Sequence, residues 1–288
     1  MGFLGFGNYA KPGKGVKKGE AEKKRIFQFT ELYFRKFSKL IQLNLLYVIV
    51  CIPSIVVGFG AIYLVGTLFQ SSQVFSLLAT IIGIIAVGFT GPPTAALMRI
   101  ARYFVEEKPV FLMSDFFQAF KDNFKPAFLV GLINGGLTYV IFQAFTFYYA
   151  KTMISSVLFW IPLMLIIFVA LVAVMTNFYT YLAMVSVDLD FKSLIKNCVS
   201  FVFLGVKTNF ITLFFVLLIL GPCIWYFPIT IPAFLVITFS TVAMIVAFNS
   251  FQHIYKYSIK PYYVMNGLED PYEIKEDGEE SIFEDTTV

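Results

Sequence analysis

The sequence predicts an all-α integral membrane protein of about six transmembrane helices, arranged as three hairpins, with amphipathic interfacial helices on one face. Three observations carry this reading. Of 288 residues, 58% are apolar and only 14% charged, with a mean hydropathy of +0.78, whereas a soluble domain carries about 25% charged residues and needs far more polar surface. Residues 40–98, 126–150, 152–187 and 208–252 contain no Asp, Glu, Lys or Arg, and about 20 apolar residues suffice to cross a bilayer. Finally, Lys and Arg are segregated: all 22 except Lys151 fall in 1–41, 99–125, 188–207 and 253–288.

Taken in order, residues 1–28 are a basic, Gly- and Lys-rich segment read as flexible. Residues 29–41 follow as an amphipathic stretch, with Phe29, Tyr33, Phe37 and Leu40 on one face and Glu31, Arg35, Lys36 and Lys39 on the other. The charge-free run 40–98 is long enough for two spans, 42–66 and 75–97, parted at Gln70-Ser71-Ser72-Gln73. A second amphipathic stretch, 114–124, repeats Phe116, Phe120 and Phe124 every four residues. It leads into a third span at 127–149. The run 152–187 is short for two spans and reads as one long or tilted helix, 157–182. In 190–202, Phe191, Leu194, Ile195, Cys198 and Phe201 oppose Lys192, Lys196 and Asn197. Two spans remain, 209–226 and 231–252, parted around Tyr226-Phe227-Pro228. Residues 261–288 hold nine of the 18 acids after Gly267 and read as an acidic flexible tail. The middle domain is therefore 29–260.

Helix is the state expected for every span, because each backbone N–H and C=O in hydrocarbon must be paired within the protein. The apolar runs lack the alternation of a membrane β-strand. With six spans, the Lys/Arg-bearing segments share one face. Basic residues favour the cytoplasm, so both termini are expected there, in a multi-pass membrane protein. No short hydrophobic core followed by a small-residue cleavage site marks a signal peptide. The three amphipathic stretches are expected to lie flat at the interface. Phe116, Phe120, Lys121 and Phe124 are the candidates for docking a protein partner. Lys121-Asp122-Asn123-Phe124 and Lys207-Thr208-Asn209-Phe210 match loosely, hinting that a surface helix plus a hairpin is a repeated unit.

Within the spans, Gly and Pro mark candidate helix breaks at Pro53, at Gly91-Pro92-Pro93 and at Gly221-Pro222, since Pro removes a helical hydrogen bond. Gly131 and Gly135 form Gly-x-x-x-Gly, a pattern for close helix approach, here read as packing within the chain. The polar residues are neutral: Asn44, Asn134, Thr138, Gln143, Asn177, Tyr179, Thr180 and Asn249. Asn134, Asn177, Thr138 and Gln143 are candidate contacts for a neutral, hydroxylated solute, or bonds between helices.

Several function classes are disfavoured. Proton- and ion-driven carriers usually place charge or His inside their spans. His253 is the one histidine and the three cysteines, Cys51, Cys198 and Cys223, are isolated, so neither a metal site nor a nucleophilic triad is expected. No phosphate-binding glycine motif occurs. The basic N-terminal tract reads as a topology signal rather than as a nucleic-acid site. No enzyme activity and no cofactor are expected, and the lipid bilayer is the assured partner.

The chain resembles the YesL-like family of uncharacterised bacterial membrane proteins. The resemblance rests on Phe34-Arg35-Lys36-Phe37 leading into Leu43-Asn44-Leu45-Leu46, on Gly91-Pro92-Pro93-Thr94-Ala95-Ala96-Leu97, and on Asp115 to Lys125, and covers about residues 25–260. It implies an accessory role beside carbohydrate uptake and carries over no catalytic residues. Two expectations follow. The first is an accessory or scaffold protein that contacts a membrane transport or regulatory partner. The alternative is a permease or facilitator for a neutral, sugar-like solute.

Overall fold

The computed structural model describes residues 24–69, 72–154 and 157–268. Long helices dominate, and six of them are long and apolar enough to cross a membrane. They are α1 (Arg25–Leu68), α2 (Ser72–Val105), α4 (Phe124–Ile154), α5 (Trp160–Met184), α7 (Val206–Trp225) and α8 (Ile231–Met265). Two shorter helices complete the set, α3 (Leu112–Asp122) before α4 and α6 (Phe191–Leu204) before α7. Apart from residues 24–28 and 261–268, the segments expected to be flexible at the two ends lie outside the described residues.

The amphipathic stretch 29–41 is not a separate surface helix. It is the first part of α1, which runs unbroken for 44 residues, about 66 Å at 1.5 Å per residue. No Gly or Pro stops the helix between Lys39 and Leu43. Of its apolar face, Leu40 is buried in the protein core and Phe29 and Tyr33 pack against that core, while Phe37 stays exposed. The Tyr33 hydroxyl shares a hydrogen bond with Thr241 Oγ1 at 3.0 Å, and Arg25 Nη2 donates to Phe248 O at 3.1 Å. These contacts hold the extension against α8.

Two expected breaks are likewise absent. α1 continues through Pro53 and α2 through Pro92 and Pro93. Each Pro removes one ladder bond, yet the helix runs on, at Pro92 and Pro93 within a buried crossing and at Pro53 on an exposed face. Pro222 sits inside the last turn of α7, close to the expected end.

α3 and α6 are short because each has defined ends. Phe111 N donates to Asp115 Oδ2 at 2.8 Å at the start of α3. Asp190 caps α6, accepting from Ser193 N at 3.2 Å. At the other ends a side-chain amide adds a donor to a carbonyl of the last turn. Asn123 Nδ2 donates to Ala119 O at 3.0 Å, and Asn209 Nδ2 to Val202 O at 3.0 Å. The loosely matched Asn residues thus do the same chemistry. Their register differs, since Asn123 is the residue between α3 and α4 while Asn209 lies within α7.

The face bearing the start of α1, α3, α6 and the ends of α2, α5 and α8 is called the basic face below. The core lies towards it. Ala95, Ala96, Ile100 and Phe104 of α2, Tyr179 and Leu182 of α5, and Met244, Ala247 and Ile254 of α8 are fully buried. Towards the opposite face, large apolar side chains such as Phe142, Ile161, Phe168 and Trp225 are exposed, as suits contact with lipid.

Candidate functional site

Helices α2 and α4 meet backbone to backbone. An added Cβ on Gly91 would stand 2.0 Å from Ala127 O, and one on Gly131 would stand 2.7 Å from Gly88 O. Gly135 is similarly close to Ile84 Cα, 3.2 Å from an added Cβ. The Gly131/Gly135 pair therefore packs within the chain. Pro92 leaves Gly88 O without its usual amide donor, and Gly131 lies against that oxygen. Gly91, Pro92 and Pro93 are all buried, so this cluster is a helix crossing and offers no open surface.

The candidate amides divide into two groups. Asn134 on α4 and Asn177 on α5 bond reciprocally: Asn134 Nδ2 donates to Asn177 Oδ1 at 2.7 Å, and Asn177 Nδ2 returns to Asn134 Oδ1 at 3.2 Å. Asn177 Nδ2 also reaches Ala173 O at 3.1 Å. Thr138 and Gln143 are exposed and do not join them; Gln143 Nε2 donates to the Tyr139 hydroxyl at 3.3 Å within α4.

Two further amides prove central. Asn44 of α1 is fully buried and faces a π-helical turn of α8, Phe234–Thr238. Its Nδ2 donates to Phe234 O at 2.9 Å and Leu235 O at 2.8 Å, and its Oδ1 accepts from Ser240 N at 2.9 Å. A π turn disturbs the regular ladder, and this one side chain pairs with three of the backbone groups around it. Asn209 of α7, also fully buried, accepts from the Tyr179 hydroxyl at 2.5 Å, so it joins α5, α6 and α7. Gly205, between α6 and α7, lets Tyr179 and His253 approach, since an added Cβ would lie 2.9 Å from the Tyr179 hydroxyl and 3.1 Å from His253 Nε2. His253 stacks on Tyr257 at 6.2 Å and stands edge-on to Tyr179.

Charge gathers on the basic face. α2 runs eight residues past its expected end at 97 and so carries Arg99 and Arg102 on a helix. Arg102 is 9% exposed and donates through Nη1 to Val185 O at 2.7 Å. It pairs with Glu106, which is also 2.7 Å from Lys108 Nζ. Arg35 of α1 meets Glu107 at 2.5 Å. These bonds fasten the end of α2 to α1 and to the end of α5.

Beside them a cleft of about 390 Å³ opens between the end of α2, the α3–α4 junction and the α5–α6 connection. Arg99, Asp122, Asn123, Ser186 and Asp188 supply its polar wall, and Met184, Phe191 and Leu194 its apolar wall. Arg99 Nη1 pairs with Asp122 Oδ2 at 3.1 Å, while Arg99 Nε is buried without a partner. Hydrogen bonds from Ser193 hold the nearby Asp190 carboxyl below its usual range. Burial pushes the Cys198 thiol of α6 up to about 12, which leaves it protonated and unreactive at neutral pH. Among the described residues, no three His, Cys, Asp or Glu side chains gather in a metal-binding group.

α3 places its residues differently from the sequence expectation. Phe116 is fully buried and presents no surface to a partner. Phe120 is partly buried, and it packs edge-on against Phe124 at 5.6 Å. Lys121 and Phe124 are exposed. The outward apolar side chains are instead Phe111, Met113 and Phe117, at 78%, 63% and 40% exposure. The period of four therefore takes in one buried, one partly buried and one exposed Phe, and does not separate the face that meets the bundle from the face that leaves it.

Over residues 40–143, from the apolar part of α1 through α2 and α3 into α4, the chain is similar to a family described as a protein of unknown function, DUF624. No curated protein and no solved structure matches.

Proposed function

We propose that this multi-pass membrane protein is a non-enzymatic accessory component of the bacterial plasma membrane acting through its basic face, whose cytoplasmic orientation the Lys/Arg asymmetry supports. The observation that carries the reading is the pairing of the intramembrane amides with other protein groups, Asn134 with Asn177 and Asn44 with the α8 turn, while open polar and apolar surface lies on one face. There the cleft around Arg99 and Asp188 and the outward Phe111, Met113 and Phe117 adjoin each other through α3. Exposed aromatics beside polar groups suit a protein partner. The resemblance to YesL-like proteins supports a partner in carbohydrate uptake or its regulation.

A photo-crosslinking residue at Phe117, in native membranes, is expected to capture one defined protein, and the same probe at the exposed Phe210 of α7 is expected to capture none. Equal labelling at both positions, or access to a terminal tag from outside intact cells, would overturn the proposal. Saturable sugar flux in liposomes holding the purified chain would replace it with the facilitator reading.

A further inference from the structure

The lipid-exposed side of the α1–α2 hairpin carries a groove of about 470 Å³. Its floor lies where Gly58 meets Ala86, so tightly that an added Cβ would stand 2.8 Å from Ala86 Cβ. Pro53 and Val57 of α1 face Ile85 and Phe89 of α2 across it. Phe120 of α3 and Phe124 of α4 contribute the lining next to the basic face. The Ser54 hydroxyl, the polar group in the wall, already donates to Ala86 O at 2.8 Å. The lining therefore offers an occupant hydrocarbon contact alone.

Dimensions and charge narrow the occupant. From Val50 to Ala61 the groove follows α1 for about 16 Å at 1.5 Å per residue, half of a hydrocarbon core about 30 Å thick. That is the depth of one leaflet. Lys121 and Lys125 follow directly on Phe120 and Phe124, are exposed, and make no ion pair with a described residue. Cations beside a leaflet-deep apolar groove match a phosphate above an acyl chain.

We propose that this groove binds one acyl chain of an anionic phospholipid from the leaflet on the basic face, with Lys121 and Lys125 holding the headgroup. The chain fills a gap that side chains leave open and gains the dispersion contacts that an empty groove forfeits. It also ties α3 to the first hairpin. This does not depend on the accessory reading above.

The test is native mass spectrometry of the full chain, released from detergent micelles doped equally with phosphatidylglycerol and phosphatidylcholine. One phosphatidylglycerol is expected to stay with each chain in preference to phosphatidylcholine. Val57→Trp, which fills the groove from its exposed edge, is expected to lower retention about tenfold. Ile85→Phe does the same from α2 and serves if the first variant unfolds. Lys121→Gln with Lys125→Gln is expected to remove the headgroup preference. Ile133→Trp, at an exposed position of α4 outside the groove lining, is expected to change nothing. The proposal is overturned if the wild type keeps no lipid, or if both groove-filling variants keep it undiminished. A dimer that Val57→Trp dissociates would also overturn it, by assigning the groove to a second copy.

Discussion

The two sides of α2 pack differently. Towards α4, Gly88 and Gly91 bring backbone against backbone, so that even a methyl group has no room. Towards α1, the helices touch at Gly58 and Ala86 and share the Tyr47–Thr94 and Ser54–Ala86 hydrogen bonds, yet a groove stays open beside that contact. In lipid there is no general hydrophobic drive between helices, so association rests on close packing and hydrogen bonds. One helix can therefore be rigidly fixed on one side and leave the other for a ligand.

The sharpest way to break this contrast is Gly91→Val. It forces α2 and α4 apart and is expected to cost about 3 kcal/mol or more, read as the loss of folded protein in a thermal scan in detergent. Ile85→Phe, into the groove, should stay within about 0.5 kcal/mol; equal costs for the two would refute the contrast. Asn44→Ala comes next at about 2 kcal/mol, because it leaves backbone groups of the α8 turn unpaired. Asn134→Ala is expected to cost about 1 kcal/mol. In a double-mutant cycle the added effect of Asn177→Ala should fall well short of additive, since each amide bonds the other. Gln143→Leu, at an exposed site, should lie within about 0.5 kcal/mol. The smallest effect concerns acid. Asp190 is held below its usual range in the folded state, so its cap stabilises above the ordinary carboxylate pKa and is lost as pH falls through the folded value. Asp190→Ala should flatten that part of the acid-unfolding curve and leave the neutral-to-alkaline part unchanged in shape.

Much of this architecture was legible in the residues. The neutral runs located six spans, and the long single helix at 157–182 appears as a 3-10 turn at Val157–Phe159 and α5. Gly131 and Gly135 announced a close approach, and Asn134 and Asn177 announced a bond between helices. Pro53 and Pro92-Pro93 misled, because a lost ladder bond is a local penalty that a membrane-spanning helix tolerates. Arg102 went unnoticed as a buried residue because its partners, Val185 O and Glu106, are set by how α2 extends and meets α5. For the candidate site, residue chemistry named Lys121 and Phe124 as surface groups, but periodicity could not tell the face of α3 that meets the bundle from the face that leaves it.

By itself the sequence determined the solvent and the element lengths. Moving charge into hydrocarbon is so costly that neutral runs must be spans and their cationic flanks must stay outside. Tertiary structure alone decided which amides meet, where a π turn finds its partner in Asn44, and which side of α2 closes and which stays open. Those outcomes depend on contacts between residues far apart in the chain, and single-residue preferences carry no record of them.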